Sequence, residues 1–206
     1  MPRHKRQYLA LEQGKVSLLW LLPSRERDQR HARVNEPLTF GLIGQRVLLI
    51  PPGNAPIYAK VQTLDDFRAL GVVAGLGAGW VDTRIWQANH LPFNEHPGDW
   101  TQIYRLVASR QRGIDYFPRG AVEVLGEAHR HPELEIEPHL LLDYHTDFYF
   151  YLHRNQAPLK PVLEAALAQA RRSGLMQQLF NKYHQDIANR LHLSKRRVID
   201  LTFAPD

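Results

Sequence analysis

Short, fully apolar runs alternate along the chain with segments of helical period, and the two patterns predict where its elements lie. Residues 16–22 (VSLLWLL) and 45–50 (QRVLLI) are runs of strand length, stopped by Pro23 and by Pro51-Pro52-Gly53. Ahead of the first run, residues 6–13 place Tyr8, Leu9 and Leu11 on one side of a short helix that Gly14 closes. Behind it, Ser24 has the position and chemistry of a helix N-cap for RERDQR. Thr63 does the same for a helix over 63–70, with Asp65 and Asp66 in the first turn, where the helix dipole favours anions.

From residue 71 to 129 the pattern takes an α/β rhythm. It predicts a strand over 71–74, a flexible loop over Gly75-Leu76-Gly77-Ala78-Gly79 and a helix over 82–89. A helix over 99–112 follows, with Ile103, Leu106 and Val107 inward, then a strand over 114–117 and a helix over 121–129. Alternation of this kind predicts a mainly parallel sheet with ligands at the carboxyl ends of its strands. The last third reads as a strand over 148–152, a helix over 159–173 with Leu163, Ala166, Leu167 and Ala170 on one face, and a helix over 176–183 beyond Gly174. A short terminal stretch, 198–201, closes the chain.

Composition narrows the classes. With 206 residues, 44% apolar and 23% charged, the chain has ordinary globular content and is not a disordered one. The absence of cysteine excludes disulfide frameworks, thiolate metal sites and cysteine nucleophiles. The run 16–22 is far shorter than the ~20 residues of a membrane span. No apolar segment backs the basic residues of MPRHKRQYLALEQ, so no signal peptide is expected. The net charge of +5 sits in the first 33 residues, which hold eight Lys/Arg against Glu12, Glu26 and Asp28, while the remaining 173 balance eighteen against eighteen. The body therefore has no single-sign field, and nucleic acid is not an expected partner.

Candidate chemistry is sparse. His129-Arg130-His131, with His139 and His145, offers imidazoles without the carboxylate spacing of a closed site, so no metal is expected. Residues 75–79 lack the six-residue dinucleotide spacing and an acidic partner, so no cofactor is assigned. No serine stands in a nucleophile context, and the chain is read as non-catalytic.

Six stretches, taken in order, resemble the type II, amino-acid-binding class of periplasmic solute-binding proteins (bacterial extracellular solute-binding protein family 3). LEQGKVSLLW is similar to that family's helix, Gly-Lys turn and strand, SRERDQR to its Thr-Glu-Lys-Arg turn, and RVLLI to the strand that follows. TLDDFRALGVVAGLGAG resembles its passage into the second lobe, LVASRQRGIDYFPRG its Leu-x-x-Gly-Arg-x-Asp-Ala helix and strand, and SGLMQQLFNKYH its closing signature. The likeness runs from about residue 7 to the end. It implies an α/β, two-lobe periplasmic-binding-protein-like II fold, with residues 1–60 and 149–206 in the first lobe and 61–148 in the second. Family members open with a strand, a helix and a strand ahead of the point where this chain begins. The resemblance thus implies an N-terminally truncated first lobe with an unpaired sheet edge.

The function that the resemblance implies is non-catalytic binding of a small polar solute, an amino acid or related carboxylate, between the lobes. The chain would serve as the periplasmic receptor of an ABC-type uptake transporter, meeting a membrane permease, or as a sensory input domain. A ligand carboxylate calls for a guanidinium, whose planar fork pairs two oxygens. Arg27 in Ser24-Arg25-Glu26-Arg27 matches the family's Thr-x-x-Arg, with Ser24 in the threonine's place; the alternative is that Arg25, Arg27 and Arg30 form a solvated basic turn. Backbone donors to the ligand are expected from Gly75, Leu76, Gly77 and Ala78. Where the family carries an Asp for the ligand's ammonium, this chain has Gly120 beside Arg119. An Arg119 facing the cleft suits a dianion or polar acid; facing outward it is one more surface arginine. Trp20, Trp80 and Phe117 fall where a cleft wall or a core would take them. The rival reading is DNA binding through residues 186–201 (DIANRLHLSKRRVIDL), whose outline matches a helix-turn-helix carrying Arg196 and Arg197.

Overall fold

A computed structural model describes residues 3–203. In chain order its elements are α1 (Arg3–Glu12), β1 (Leu18–Leu21), α2 (Arg25–Arg30), β2 (Ala32–Arg33), β3 (Gln45–Ile50), α3 (Ala55–Tyr58), α4 (Leu64–Ala69), β4 (Ala74–Gly77) and α5 (Val81–Ala88). They continue as β5 (Phe93–His96), α6 (Gln102–Ala108), β6 (Phe117–Gly120), α7 (Val124–Arg130), β7 (Glu135–Ile136), β8 (Leu140–Asp143), β9 (Tyr149–Leu152), α8 (Lys160–Arg172), α9 (Leu175–Arg190) and β10 (Arg197–Asp200). The chain forms two compact units, residues 3–41 with 146–183 and residues 42–145 with 184–203.

The first unit is built on a three-stranded antiparallel sheet, β1-β9-β2, with β9 in the middle. Alternation in β1 turns Leu19 inward onto Leu11 of α1 and Tyr151 of β9, and leaves Trp20 on the other face, 54% exposed. Gly14 closes α1 with φ +67°, a conformation that costs a side-chain-bearing residue about 1–2 kcal/mol. Among the described residues, the far edge of β1 pairs with no strand. The buried Asp147 carboxylate gathers Thr39 and Gly41, accepting from their backbone N–H groups at 2.8 and 2.7 Å.

The second unit has a sheet of order β10-β8-β3-β6, with β7 also on β3, and a separate parallel pair β4-β5. Its core joins Leu48 and Ile50 of β3 to Phe67, Trp86, Tyr116 and Tyr144, and Trp86 Nε1 donates to the Tyr116 hydroxyl at 2.9 Å. Thr63 caps α4 in a reciprocal box with Asp66.

Several elements depart from the sequence reading. The sheet is not mainly parallel, because β3 runs antiparallel to β6, β7 and β8, while among the described strands β8-β10 and β4-β5 are parallel pairs. Those pairings also move the division of the chain: residues 42–60 belong with the second unit rather than the first, and β10 brings 184–203 there too. The expected helix over 99–112 ends at Ala108, since Arg110 and Arg112 take φ +52° and +57°. The strand predicted over 114–117 lies at Phe117–Gly120, in register with Arg46–Leu49. The helix-turn-helix outline is not realised: Asp186–Arg190 is the end of α9, and 197–200 is strand β10, parallel to β8. A buried Arg196 fixes that strand, donating to the carbonyls of Leu191 and Leu140 at 2.7 and 3.0 Å, so no recognition helix forms.

Candidate functional site

In the first unit, Ser24 takes an extended conformation at the N-cap of α2, and its hydroxyl accepts from the Arg27 N–H at 3.3 Å. The oxygen is thereby used in the cap, and the side chain is buried. The cap sets Arg27 on the first turn, with Nη1 donating to the Leu22 carbonyl at 2.6 Å and the guanidinium 5.6 Å from the Tyr8 ring. Among the described residues, every other buried or half-buried arginine is paired: Arg33 with Asp28, Arg46 with Asp82, Arg68 with Asp65, Arg119 with Glu127, Arg171 with Glu36 and Arg196 with Glu137. Among the described residues no carboxylate pairs with Arg27. It lines a cavity of about 620 Å³ with Gln7, Trp20 and Phe148, inside the size range of organic-ligand pockets. The arrangement offers a half-buried cation, an amide and two aromatic faces.

In the second unit, the expected loop at Gly75-Leu76-Gly77 is strand β4, buried throughout. Glycine is needed there for packing. A Cβ on Gly75 would stand 2.6 Å from Ile103 Cγ2, and one on Gly77 would stand 2.4 Å from the Trp80 indole. The backbone donors are engaged as well: Gly75 N–H donates to Tyr116 O at 2.9 Å and Ala78 N–H to His96 O at 3.1 Å. These amides therefore do not form an open anion cradle. The start of α5 is occupied by the chain's own acid, Asp82, which accepts from Arg46 Nε at 3.2 Å and from the Tyr144 hydroxyl at 2.5 Å. The Arg46 guanidinium lies 4.6 Å from the Tyr144 ring.

Arg119 neither faces outward nor offers an open anion site. It is 7% exposed and gives Nε and Nη2 to the two Glu127 oxygens at 2.7 and 2.6 Å, with Glu123 at 3.1 Å. Trp80, Trp100 and Phe117 surround the guanidinium at 5.3, 4.9 and 4.9 Å. Burial, the largest influence, lowers its pKa, but the hydrogen bonds and charge of Glu127 outweigh it, and the net shift is upward. Gly120 makes room for Glu123: a Cβ there would meet Glu123 Oε2 at 3.2 Å. A carboxylate thus occupies the space beside Gly120, on a side chain 56% exposed and three residues on.

The structure accordingly brings Gly77, Trp80, Arg119 and Gly120 into one neighbourhood of the second unit, with Leu76 buried in its core, and places Ser24 and Arg27 in the first. Sequence reasoning missed Glu127, Arg46, Asp82 and Tyr144, and it did not place Glu123 beside Arg119. Asp82 in the first turn of a helix reads as an ordinary dipole partner, and nothing local ties it to Arg46, thirty-six residues away. Among the described residues, no group of three metal-ligating side chains comes together.

No family model matches the chain, and no curated protein is similar enough to match it. Solved structures do match. An amino-acid ABC transporter substrate-binding protein from Streptococcus pneumoniae, bound to L-arginine, aligns with a TM-score of 0.57 at 14% identity over 87% of this chain and 73% of its own. The ligand-binding core of GluR0 in complex with L-glutamate aligns with a TM-score of 0.59 at 13% identity over 87% and 77%. An ancestral amino-acid-binding protein, a precursor of cyclohexadienyl dehydratase, aligns with a TM-score of 0.59 at 13% identity over 88% and 74%. These likenesses show the fold: the chain has the α/β architecture of the type II periplasmic binding proteins.

Proposed function

We propose that the protein binds a small amino-acid-like carboxylate through Arg27, as the periplasmic receptor of an ABC-type uptake transporter. One observation carries the reading: Arg27 is a half-buried guanidinium with no carboxylate partner among the described residues, on the wall of a cavity that Trp20 and Phe148 also line. A ligand carboxylate supplies the missing partner through paired N–H···O bonds, and the indole gives a face for the rest of the molecule. The solved structures with L-arginine and L-glutamate support this ligand class. The role is binding rather than catalysis. Among the described residues, the others lining the cavity are Gln7, Leu19, Trp20, Leu21, Leu22 and Phe148, whose side chains do not exchange a proton near neutral pH, as general acid–base work requires.

The test is calorimetric titration with L-arginine and L-glutamate, comparing the natural chain with Arg27→Ala. A hydrogen-bonded charge of this kind contributes about 1.5–3 kcal/mol, so affinity for the bound amino acid should fall roughly ten- to hundredfold. The melting temperature should change little, because the variant loses one hydrogen bond, to Leu22 O. Undiminished affinity in Arg27→Ala overturns the assignment.

A further inference from the structure

A second cavity of the first unit, about 260 Å³, is lined by Glu12, Arg30, His31 and Arg154 and shares no residue with the Arg27 cavity. It lies where the ends of α1 and α2 meet the turn after β9. His31 is 7% exposed, and neither of its ring nitrogens has a hydrogen-bond partner. The Tyr8 ring packs edge-on at 5.7 Å, its own hydroxyl also buried without a partner. Buried polar groups are ordinarily satisfied, so a pair of buried, unpartnered imidazole nitrogens on a residue that lines a cavity marks a place for a missing partner.

The charges around His31 indicate what that partner is. From α1 comes Glu12, from α2 Arg30, and from the turn after β9 His153 and Arg154. Glu12 is already held by Arg30 Nη1 at 2.6 Å, and Arg30 Nη2 reaches Glu26 at 3.2 Å. Arg154 has no carboxylate partner among the described residues. A cation would face two guanidinium groups, and a neutral molecule would leave Arg154 unmatched. The volume falls below the 300 Å³ at which organic-ligand pockets begin. We infer that this cavity binds a small tetrahedral oxyanion between Arg154 and the His31 ring, as a site separate from the amino-acid site.

The inference includes a pH dependence. Burial is the main reason that His31 lies below its ordinary pKa; Glu12 opposes the shift, and His153, Arg154 and Arg30 add to it. An oxyanion against the ring favours imidazolium, so binding takes up a proton and tightens as pH falls.

Sulfate is the probe, because its charge is constant between pH 5.5 and 7.5. It is titrated calorimetrically into the intact chain against chloride at matched ionic strength, with the His31 ring nitrogens followed by NMR. The expected result is saturable sulfate binding roughly three- to sixfold tighter at pH 5.5 than at pH 7.5, the effect over this window of a one-unit upward shift in His31, with a shift of its ring resonances. Arg154→Ala should lose the binding at both pH values. His31→Gln, checked for folding by its melt, should bind equally at both, and Arg27→Ala should bind as the natural chain does. Absence of saturable binding beyond chloride, natural affinity in Arg154→Ala, or retained pH dependence in His31→Gln overturns the proposal. Loss of binding in Arg27→Ala also overturns it, by placing the sulfate in the amino-acid cavity.

Discussion

Arg119 and Arg27 carry the same charge and have opposite uses, and their partners decide the difference. Arg119 is locked by both oxygens of Glu127 inside a wall of three aromatic rings. Removing Glu127 leaves a buried guanidinium with only the exposed Glu123 beside it, which typically costs about 3–5 kcal/mol. Glu127→Ala should therefore lower the urea midpoint strongly, whereas Arg119→Met with Glu127→Leu should recover most of the loss. A mild Glu127→Ala would mean that Glu123 alone neutralises Arg119. None of this was legible from the sequence, in which Arg119 next to Gly120 read either as a cleft cation or as one more surface arginine. The pairing joins the first turn of α7 to β6 across eight residues and depends on how the chain folds back between them. Ser24, by contrast, was readable, because a cap is decided within four residues.

At the scale of elements, the glycines of β4 show how one residue type supports two readings. Gly75 to Gly79 looked like a flexible loop, yet Gly75 and Gly77 are buried strand positions into which Ile103 and Trp80 pack. Of the three glycines, Gly79 alone has a left-handed φ, +73°, at the turn that follows β4. Gly77→Ala pushes a methyl into the Trp80 indole and should cost about 1–3 kcal/mol in urea unfolding, with a changed environment for Trp80 in near-UV circular dichroism. An unchanged midpoint would show that the indole is free to move. Strands β1, β3 and β9 were legible because each is an apolar run cut by proline, turn or polar residues. Strand β5 (Phe93–His96) was not, since FNEH carries no strand pattern and is set by its parallel register with β4.

For the whole molecule, the order of elements carried the fold, and long-range pairing decided its division. The break expected near residue 60 lies at 41/42, because β3 finds its partners at 117–120, 135–136 and 140–143. No local pattern announces those partners. Each unit has its own core, a large one around Trp86 and Tyr116 and a smaller one around Leu11, Leu19 and Tyr151. The smaller unit bears the Arg27 cavity and, among the described residues, an unpaired edge at β1. The central claim is that an amino acid enters that cavity, and Trp20 on its wall gives the most direct report. We would follow the Trp20 indole N–H resonance, assigned by its loss in Trp20→Phe, while titrating the amino acid that calorimetry shows to bind. The account predicts a saturating shift with the calorimetric dissociation constant, absent in Arg27→Ala. Saturating heat with an unmoved Trp20 resonance would contradict it and place the ligand elsewhere on the molecule.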